Sequence, residues 1–187
     1  MTSHRKGRGS SFNTPNRFQE HHLEPIEVDP GYEEDVPIIP TIFYKDTSRS
    51  ILAKNDSPDI PFTYSINPYR GCEHGCVYCY ARPSHEYLGF SAGLDFESKI
   101  MVKMGAPRLL AHALSRKSWE PQMVAFSGNT DCYQPVERKL LLTRQCLEVF
   151  LGHRNPVGVI TKNALVLRDL DVLREMAKLD LVHVMIS

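Results

Sequence analysis

Three cysteines, Cys72, Cys76 and Cys79, are spaced C-x3-C-x2-C inside Asn67-Pro68-Tyr69-Arg70-Gly71-Cys72-Glu73-His74-Gly75-Cys76-Val77-Tyr78-Cys79-Tyr80-Ala81. Iron–sulfur clusters are held by cysteine thiolates, and three thiolates can hold three irons of a [4Fe–4S] cube. The fourth iron is then open to a small molecule. Gly71 and Gly75 suit a loop that must curl round such a cube, because glycine accepts positive φ at little steric cost. Zinc is the alternative metal, since a Cys/His loop also makes a tetrahedral site, with His74 or His85 as the fourth ligand. A zinc module usually carries two separated ligand pairs, and no second Cys/His pair of that kind follows. A disulfide framework fits poorly, because five cysteines is an odd number and the chain is long for a stapled miniprotein.

The elements that must position this loop are legible as short apolar runs alternating with amphipathic stretches. Phe62-Thr63-Tyr64-Ser65-Ile66 predicts a strand whose carboxyl end runs directly into the cysteines. Ala106 to Lys117 predicts a helix, with Pro107 in its first turn and Leu109, Leu110, Ala113 and Leu114 on one face. Met123-Val124-Ala125-Phe126 predicts a buried strand, followed by the polar loop Ser127-Gly128-Asn129-Thr130-Asp131. A helix from Pro135 to Gly152, a strand Val157–Thr161, a helix Asp169–Leu179 and a strand Leu181–Ile186 follow. Ile100-Met101-Val102 reads as a short extra strand. The alternation predicts an α/β fold with a parallel sheet of right-handed βαβ units. Active sites of α/β barrels sit at the carboxyl ends of the strands. The cysteine loop, Gly128–Asp131, Thr161-Lys162 and Ser187 all fall there. Each has a plain structural reading too: Asp131 as a turn or helix cap, Lys162 as a solvated lysine, His183 as a packed core histidine, and Cys146 as a small buried hydrophobe.

The pattern C-x3-C-x-aromatic-C, with Tyr78 as the aromatic, resembles the radical S-adenosylmethionine (SAM) superfamily. Asn-Pro-Tyr-Arg-Gly-Cys before the loop, Thr-Asp-x-Tyr-Gln-Pro after the second strand and Thr-Lys after the third resemble its spore photoproduct lyase-like group, from about Thr41 onward. The Gly-Arg-Gly and Asn-Arg-Phe segments near the amino terminus are similar to bacterial members of that group. The resemblance implies a parallel partial (β/α) barrel of the radical SAM type, with about four βα units present. It implies a [4Fe–4S] cluster on Cys72, Cys76 and Cys79, SAM chelating the open iron, and reductive cleavage of SAM to a 5′-deoxyadenosyl radical. Tyr78 and backbone near Tyr80 would lie along the adenine. Gly128, Asn129, Thr130 and Asp131 would meet the SAM amino group, Lys162 the SAM carboxylate or an anionic substrate group, and Ser187 the ribose. The Gly-Gly-Glu element common in relatives is not kept at 128–131. Cys132 stands where relatives carry proline, and as a rim thiol it is a candidate hydrogen donor. The lyase's own thiol lies three residues before the aspartate, where this chain has Gly128, so that role does not transfer residue by residue. Superfamily catalytic domains usually have six strands, so four strands are expected to be an amino-terminal part of a longer protein, with 181–186 as an apolar edge.

Composition sets the remaining bounds. The 187 residues are enough for one ordinary domain, with globular values of 42% hydrophobic and 24% charged residues. A net charge of zero removes any global pull toward nucleic acid or membrane. No apolar run approaches the ~20 residues that span a bilayer, and thiols in this number fit a reduced, cytoplasmic setting. Residues 1–40 predict a disordered tail, basic at first (Arg5, Lys6, Arg8 and Arg17 against Glu20) and then acidic (Glu24, Glu27, Asp29, Glu33, Glu34, Asp35). Residues 41–187 are expected to form the radical SAM domain. The partners expected are an external electron donor and a nucleic-acid substrate. The basic arm would touch phosphates, and Arg70, Tyr69, Tyr87 and Phe90 are stacking candidates. A protein or small-molecule substrate is the competing reading, and a non-enzymatic metal-binding or electron-transfer protein is a third.

Overall fold

A computed structural model describes residues 9–10, 12–14, 18, 25–26 and 39–187. The charged residues named above between Arg5 and Asp35, with His4, His21 and His22, lie outside the described residues. In chain order the elements are β1 (Pro25–Ile26), β2 (Ile42–Lys45), β3 (Leu52–Lys54), β4 (Tyr64–Ile66), β5 (Tyr69–Arg70), a 3-10 helix Arg82–Leu88, α1 (Asp95–Ser98), β6 (Lys99–Val102), α2 (Ala106–Leu114) and β7 (Val124–Phe126). They continue with α3 (Glu137–Leu140), α4 (Leu142–Gly152), β8 (Val157–Thr161), a 3-10 helix Ala164–Asp169, α5 (Leu170–Ala177) and β9 (Val182–Ile186). The fold is mixed α/β with two sheets, and the chain divides into two compact units, Met1–Asp46 with Tyr69–Val102, and Thr47–Pro68 with Lys103–Ser187. The short extra strand expected at Ile100-Met101-Val102 falls within β6, which pairs with β2 and β5.

The second unit carries the sheet β3-β4-β7-β8-β9. β3 runs antiparallel to β4, and β4, β7, β8 and β9 are parallel, with Ile66 opposite Phe126, Phe126 opposite Val159, and Thr161 opposite Ile186. β7 is buried at every residue, as a central parallel strand covered on both faces should be. Its core joins Ile66, Phe126 and Val159 from the strands to Leu110 of α2, Leu147 and Phe150 of α4, and Met176 of α5. Each such side chain contributes about 1.5–3 kcal/mol relative to leaving it in water. β9 is the edge strand. His183, expected in the core, is exposed there with Val184, Met185 and Ile186.

The stretch expected as one helix from Pro135 to Gly152 is broken. Leu141 takes φ 55°, ending α3 and starting α4. The buried carboxylate of Glu137 explains the restart, because its Oε2 accepts the N–H of Thr143 at 3.1 Å, a donor the new helix would otherwise leave unmet.

The first unit has the sheet order β1-β2-β6-β5, with β2 and β6 parallel and the other pairs antiparallel. Ile100 and Val102 of β6 and Phe96 of α1 are among its buried apolar residues. Part of the segment expected as a disordered tail is docked here. Leu94 N–H donates to the carbonyl of Phe12 at 3.2 Å, Thr14 N–H to Ser91 Oγ at 2.6 Å, and Asn13 exchanges two bonds with Asp95.

Candidate functional site

The cysteine loop belongs to the first unit. Each cysteine carbonyl opens a tight turn: Cys72 accepts from Gly75 N–H at 3.4 Å, Cys76 from Cys79 N–H at 3.2 Å, and Cys79 from Arg82 N–H at 3.4 Å. The loop is therefore wound, with one cysteine at the start of each turn. Gly71 enters it at φ 82°, and a Cβ there would come within 2.9 Å of both His85 Cε1 and the Phe96 carbonyl. Both the left-handed backbone and the lack of room call for glycine. Cys72 N–H is anchored on the Phe96 carbonyl at 2.8 Å. Cys72 is buried with Ala81 and Phe96, while Cys76 and Cys79 are half-buried.

None of the five cysteines is in a disulfide. Three thiols on one wound loop are a donor set that fits an iron–sulfur cube. Among the described residues no three His, Cys, Asp or Glu side chains gather round a single ion position. His85, named above as a possible fourth ligand, lies inside the first unit. It is fully buried, its Nε2 donates to the Lys99 carbonyl at 2.9 Å, and it packs between Phe90 and Phe96. Burial holds its pKa down at about 4, so the ring is neutral at pH 7.

Outside the loop's interior, Tyr78 and Tyr80 are 78% and 77% exposed, with Val77 beside them at 71%. Of the four stacking candidates, Tyr69 and Phe90 are buried in the unit's packing and offer no face to a base. Arg70 is paired with Asp46 at 3.3 Å, and Tyr87 stacks on Phe18 with ring centroids 5.3 Å apart.

The rim residues belong to the second unit. Ser127 leaves β7 at φ 83°, a left-handed value rare for a residue with a side chain. Its Oγ accepts Cys132 N–H at 2.8 Å, which bends the chain back on itself. Gly128 and Asn129 lie at the apex, half-buried and exposed in turn. Thr130 is buried, and both its carbonyl and its Oγ1 take the amide of Asn67, at 2.7 and 2.6 Å. Asp131 Oδ1 accepts from Thr161 Oγ1 at 2.7 Å and Tyr133 N–H at 2.9 Å, and its Oδ2 accepts from Lys162 N–H at 2.9 Å. The carboxylate staples the turn after β7 to the end of β8. The Lys162 side chain is exposed, and Ser187 is exposed with its N–H on the Thr161 carbonyl at 3.0 Å.

Cys132 requires a correction. The residue expected as a rim thiol is wholly buried in the core of the second unit, because the bend at Ser127 and the Asp131 turn direct it inward. Burial pushes its thiol pKa well up, which keeps it protonated and packed.

Several residues were not singled out from sequence. Glu137, Arg168, Asp169 and Tyr133 form a buried network. Arg168 Nη2 reaches Glu137 Oε1 at 2.9 Å and Asp169 Oδ2 at 2.7 Å, and Tyr133 Oη donates to Asp169 at 3.1 Å. Arg82 and Glu97 form a second buried pair beside the cysteines. The sequence gives no signal for Glu97. Arg82 is signalled by a cation three residues after the last cysteine of the motif.

Compared with known proteins, the chain is 38% identical over 146 residues to an uncharacterized protein of Mycobacterium tuberculosis and equally to one of Mycobacterium bovis, which covers 78% of this chain and 43% of each relative. It is 30% identical over 117 residues to an uncharacterized protein of Methanocaldococcus jannaschii, covering 63% of this chain and 42% of that protein. The chain thus spans less than half the length of these relatives. No family model matches it, and no solved structure matches it. Among the described residues no helix is long and apolar enough to cross a membrane.

Proposed function

We propose that this chain is the cluster-binding part of a radical SAM enzyme, with a [4Fe–4S] cluster held by Cys72, Cys76 and Cys79. One observation supports this most strongly: the three cysteines open successive turns of one wound loop through their backbone carbonyls, and none of them is in a disulfide. A cluster bound there would supply the one-electron reduction that the resemblance associates with cleavage of SAM. The chain's own residues bind and orient. The buried floor at Cys72, Ala81 and Phe96 excludes water on one side of the loop. Tyr78 is exposed at the outer turn and would offer an aromatic face to a planar ligand such as adenine. In the second unit, Asp131 ties the turn after β7 to the end of β8, and the resemblance assigns Gly128–Asp131 to the SAM amino group. Lys162 supplies a cation at that rim. The open parallel sheet β4-β7-β8-β9 is, in this reading, the first part of a partial barrel. An external one-electron donor completes the reaction. Nucleic acid is the substrate class that the resemblance points to.

The test is anaerobic reconstitution of the chain with iron and sulfide. A brown protein is expected, with roughly four irons per chain, and SAM should perturb the reduced cluster's EPR spectrum. Alanine at Cys72, Cys76 or Cys79 should abolish this, and alanine at Cys132 or Cys146 should not. Stoichiometric tight zinc with no iron uptake overturns the reading.

A further inference from the structure

The cysteine loop is held from outside by a segment that lies far from it in sequence. Arg82, three residues past Cys79, turns its guanidinium back under the loop. Its Nε and Nη2 donate to the Cys76 carbonyl at 3.1 and 3.0 Å, and its Nη1 donates to the Gly93 carbonyl at 3.1 Å. The same guanidinium lies over the Phe96 ring, 5.4 Å from its centroid, and is paired with Glu97. Glu97 is fully buried, and its other oxygen, Oε2, accepts the backbone N–H of Gly9 at 2.9 Å. An amide near the start of the chain thus meets the buried carboxylate that fixes the cation bound to a cysteine carbonyl.

The fit is close on both segments. A Cβ at Gly9 would overlap the Gly75 carbonyl and stand 3.0 Å from Val77 Cγ1. A Cβ at Gly75 would stand 2.9 Å from Glu97 Oε2 and 3.2 Å from Gly9 N. Gly9 therefore lies directly against Gly75, the residue before Cys76. From there Phe12, Asn13 and Thr14 fasten onto Ser91, Leu94 and Asp95 through the four hydrogen bonds described above. A buried, charge-assisted arrangement of this kind is among the stronger polar contacts a protein makes.

We propose that Gly9, with Phe12, Asn13 and Thr14, is a clasp that, through Glu97 and Arg82, fixes the middle cysteine turn and sets the electrostatic surroundings of the metal group bound there. This deepens the reading given under Proposed function and rests on it for the metal. Arg82 and Glu97 are positioning residues, because each acts through the Cys76 backbone. Arg82 places a positive charge against a ligand's own carbonyl, and Glu97 balances it. Cluster potentials respond to net charge, hydrogen bonding and exposure, so the pair is expected to hold the potential lower than Arg82 alone would.

The experiment uses the full chain in two arms, with Gly9→Val to unseat the clasp, Glu97→Gln to remove the charge and Glu97→Asp as the conservative partner. In the metal-free chain, Gly9→Val should speed amide exchange of residues 72–82 by roughly tenfold or more, with Trp119 fluorescence confirming that the second unit is folded. In the reconstituted chain, Gly9→Val should speed iron loss to a chelator by a similar factor. Glu97→Gln should move the reduction potential positive, and Glu97→Asp should restore most of the shift. Unchanged exchange in Gly9→Val overturns the clasp whatever the iron content. Bound iron with the parent's loss rate and potential in every variant overturns its role at the metal. A parent chain that takes up no iron defeats the cluster reading, and the exchange arm still decides the clasp.

Discussion

The cysteine loop and the sheet rim are built in opposite ways. In the loop, the bonds described fall on the backbone carbonyls of Cys72, Cys76 and Cys79 and on the buried pair Arg82–Glu97 beneath them. On the rim they fall on the side chains themselves: Asn67, Thr130, Asp131 and Thr161 bond to one another and to nearby amides. A site that must bind something large through its side chains is best held by its backbone. A rim that holds its side chains in internal bonds can offer a ligand mainly backbone and shape. The contrast separates residues that would contact a ligand from residues that arrange others.

The largest expected effect tests whether the two regions are energetically separate. Arg168→Met leaves the fully buried Glu137 without the cation it pairs with and Asp169 with Arg144 alone, and should destabilise the second unit by about 3 kcal/mol. Urea unfolding followed by Trp119 fluorescence measures this, since Trp119 is the one tryptophan and packs against Tyr64 of β4. Exchange in residues 72–82 should not change, and a matching increase there would break the comparison.

Next in size is a pH effect confined to the first unit. His85 has a folded pKa of about 4, lowered by burial from 6.5. The unfolded chain therefore takes up a proton that the folded chain refuses, and stability falls as pH drops from about 6.5 toward 4. A shift of that size corresponds to at most about 3.5 kcal/mol. Amide exchange of residues 82–99 should accelerate across that window, and His85→Gln should flatten the response. A flat profile in the parent chain would assign the acid sensitivity elsewhere.

The smallest effect sharpens the role of the rim. Asp131→Asn replaces one acceptor oxygen with a donor, so the amides of Lys162 and Tyr133 and the Thr161 hydroxyl cannot all be met. A loss of about 1–3 kcal/mol in the second unit is expected. A SAM affinity about tenfold weaker with no loss of stability would instead place the carboxylate on the cofactor.

The sequence made the large apolar elements legible, and the reasons can be seen residue by residue. β7, β8 and β9 lie where short apolar runs stand between turn residues, and α2, α4 and α5 lie where leucines repeat at helical spacing. The break at Leu141 was not legible, because it depends on Glu137 reaching forward to Thr143, a contact no periodicity reports. The second sheet was missed for a related reason. β2 and β6 are each four residues long and separated by more than fifty positions, so neither carries a pattern that names its partner. The cysteines were legible because spacing alone states their chemistry. The burial of Cys132 was not, since it turns on the single backbone angle at Ser127.

The excursion from Tyr69 to Val102 has a closed base. Lys103 N–H bonds to the Pro68 carbonyl at 2.9 Å, and the first and last residues of the excursion, Tyr69 and Val102, are opposite one another in a ladder. Bringing the ends of a segment about 34 residues long together costs roughly 3 kcal/mol of chain entropy. Pairing of β4 with β7 already draws residues 66 and 126 together, so folding of the main sheet meets part of that cost before any cysteine is in place. The order of events during refolding should follow: the tryptophan signal first, with protection of the cysteine segment lagging behind it.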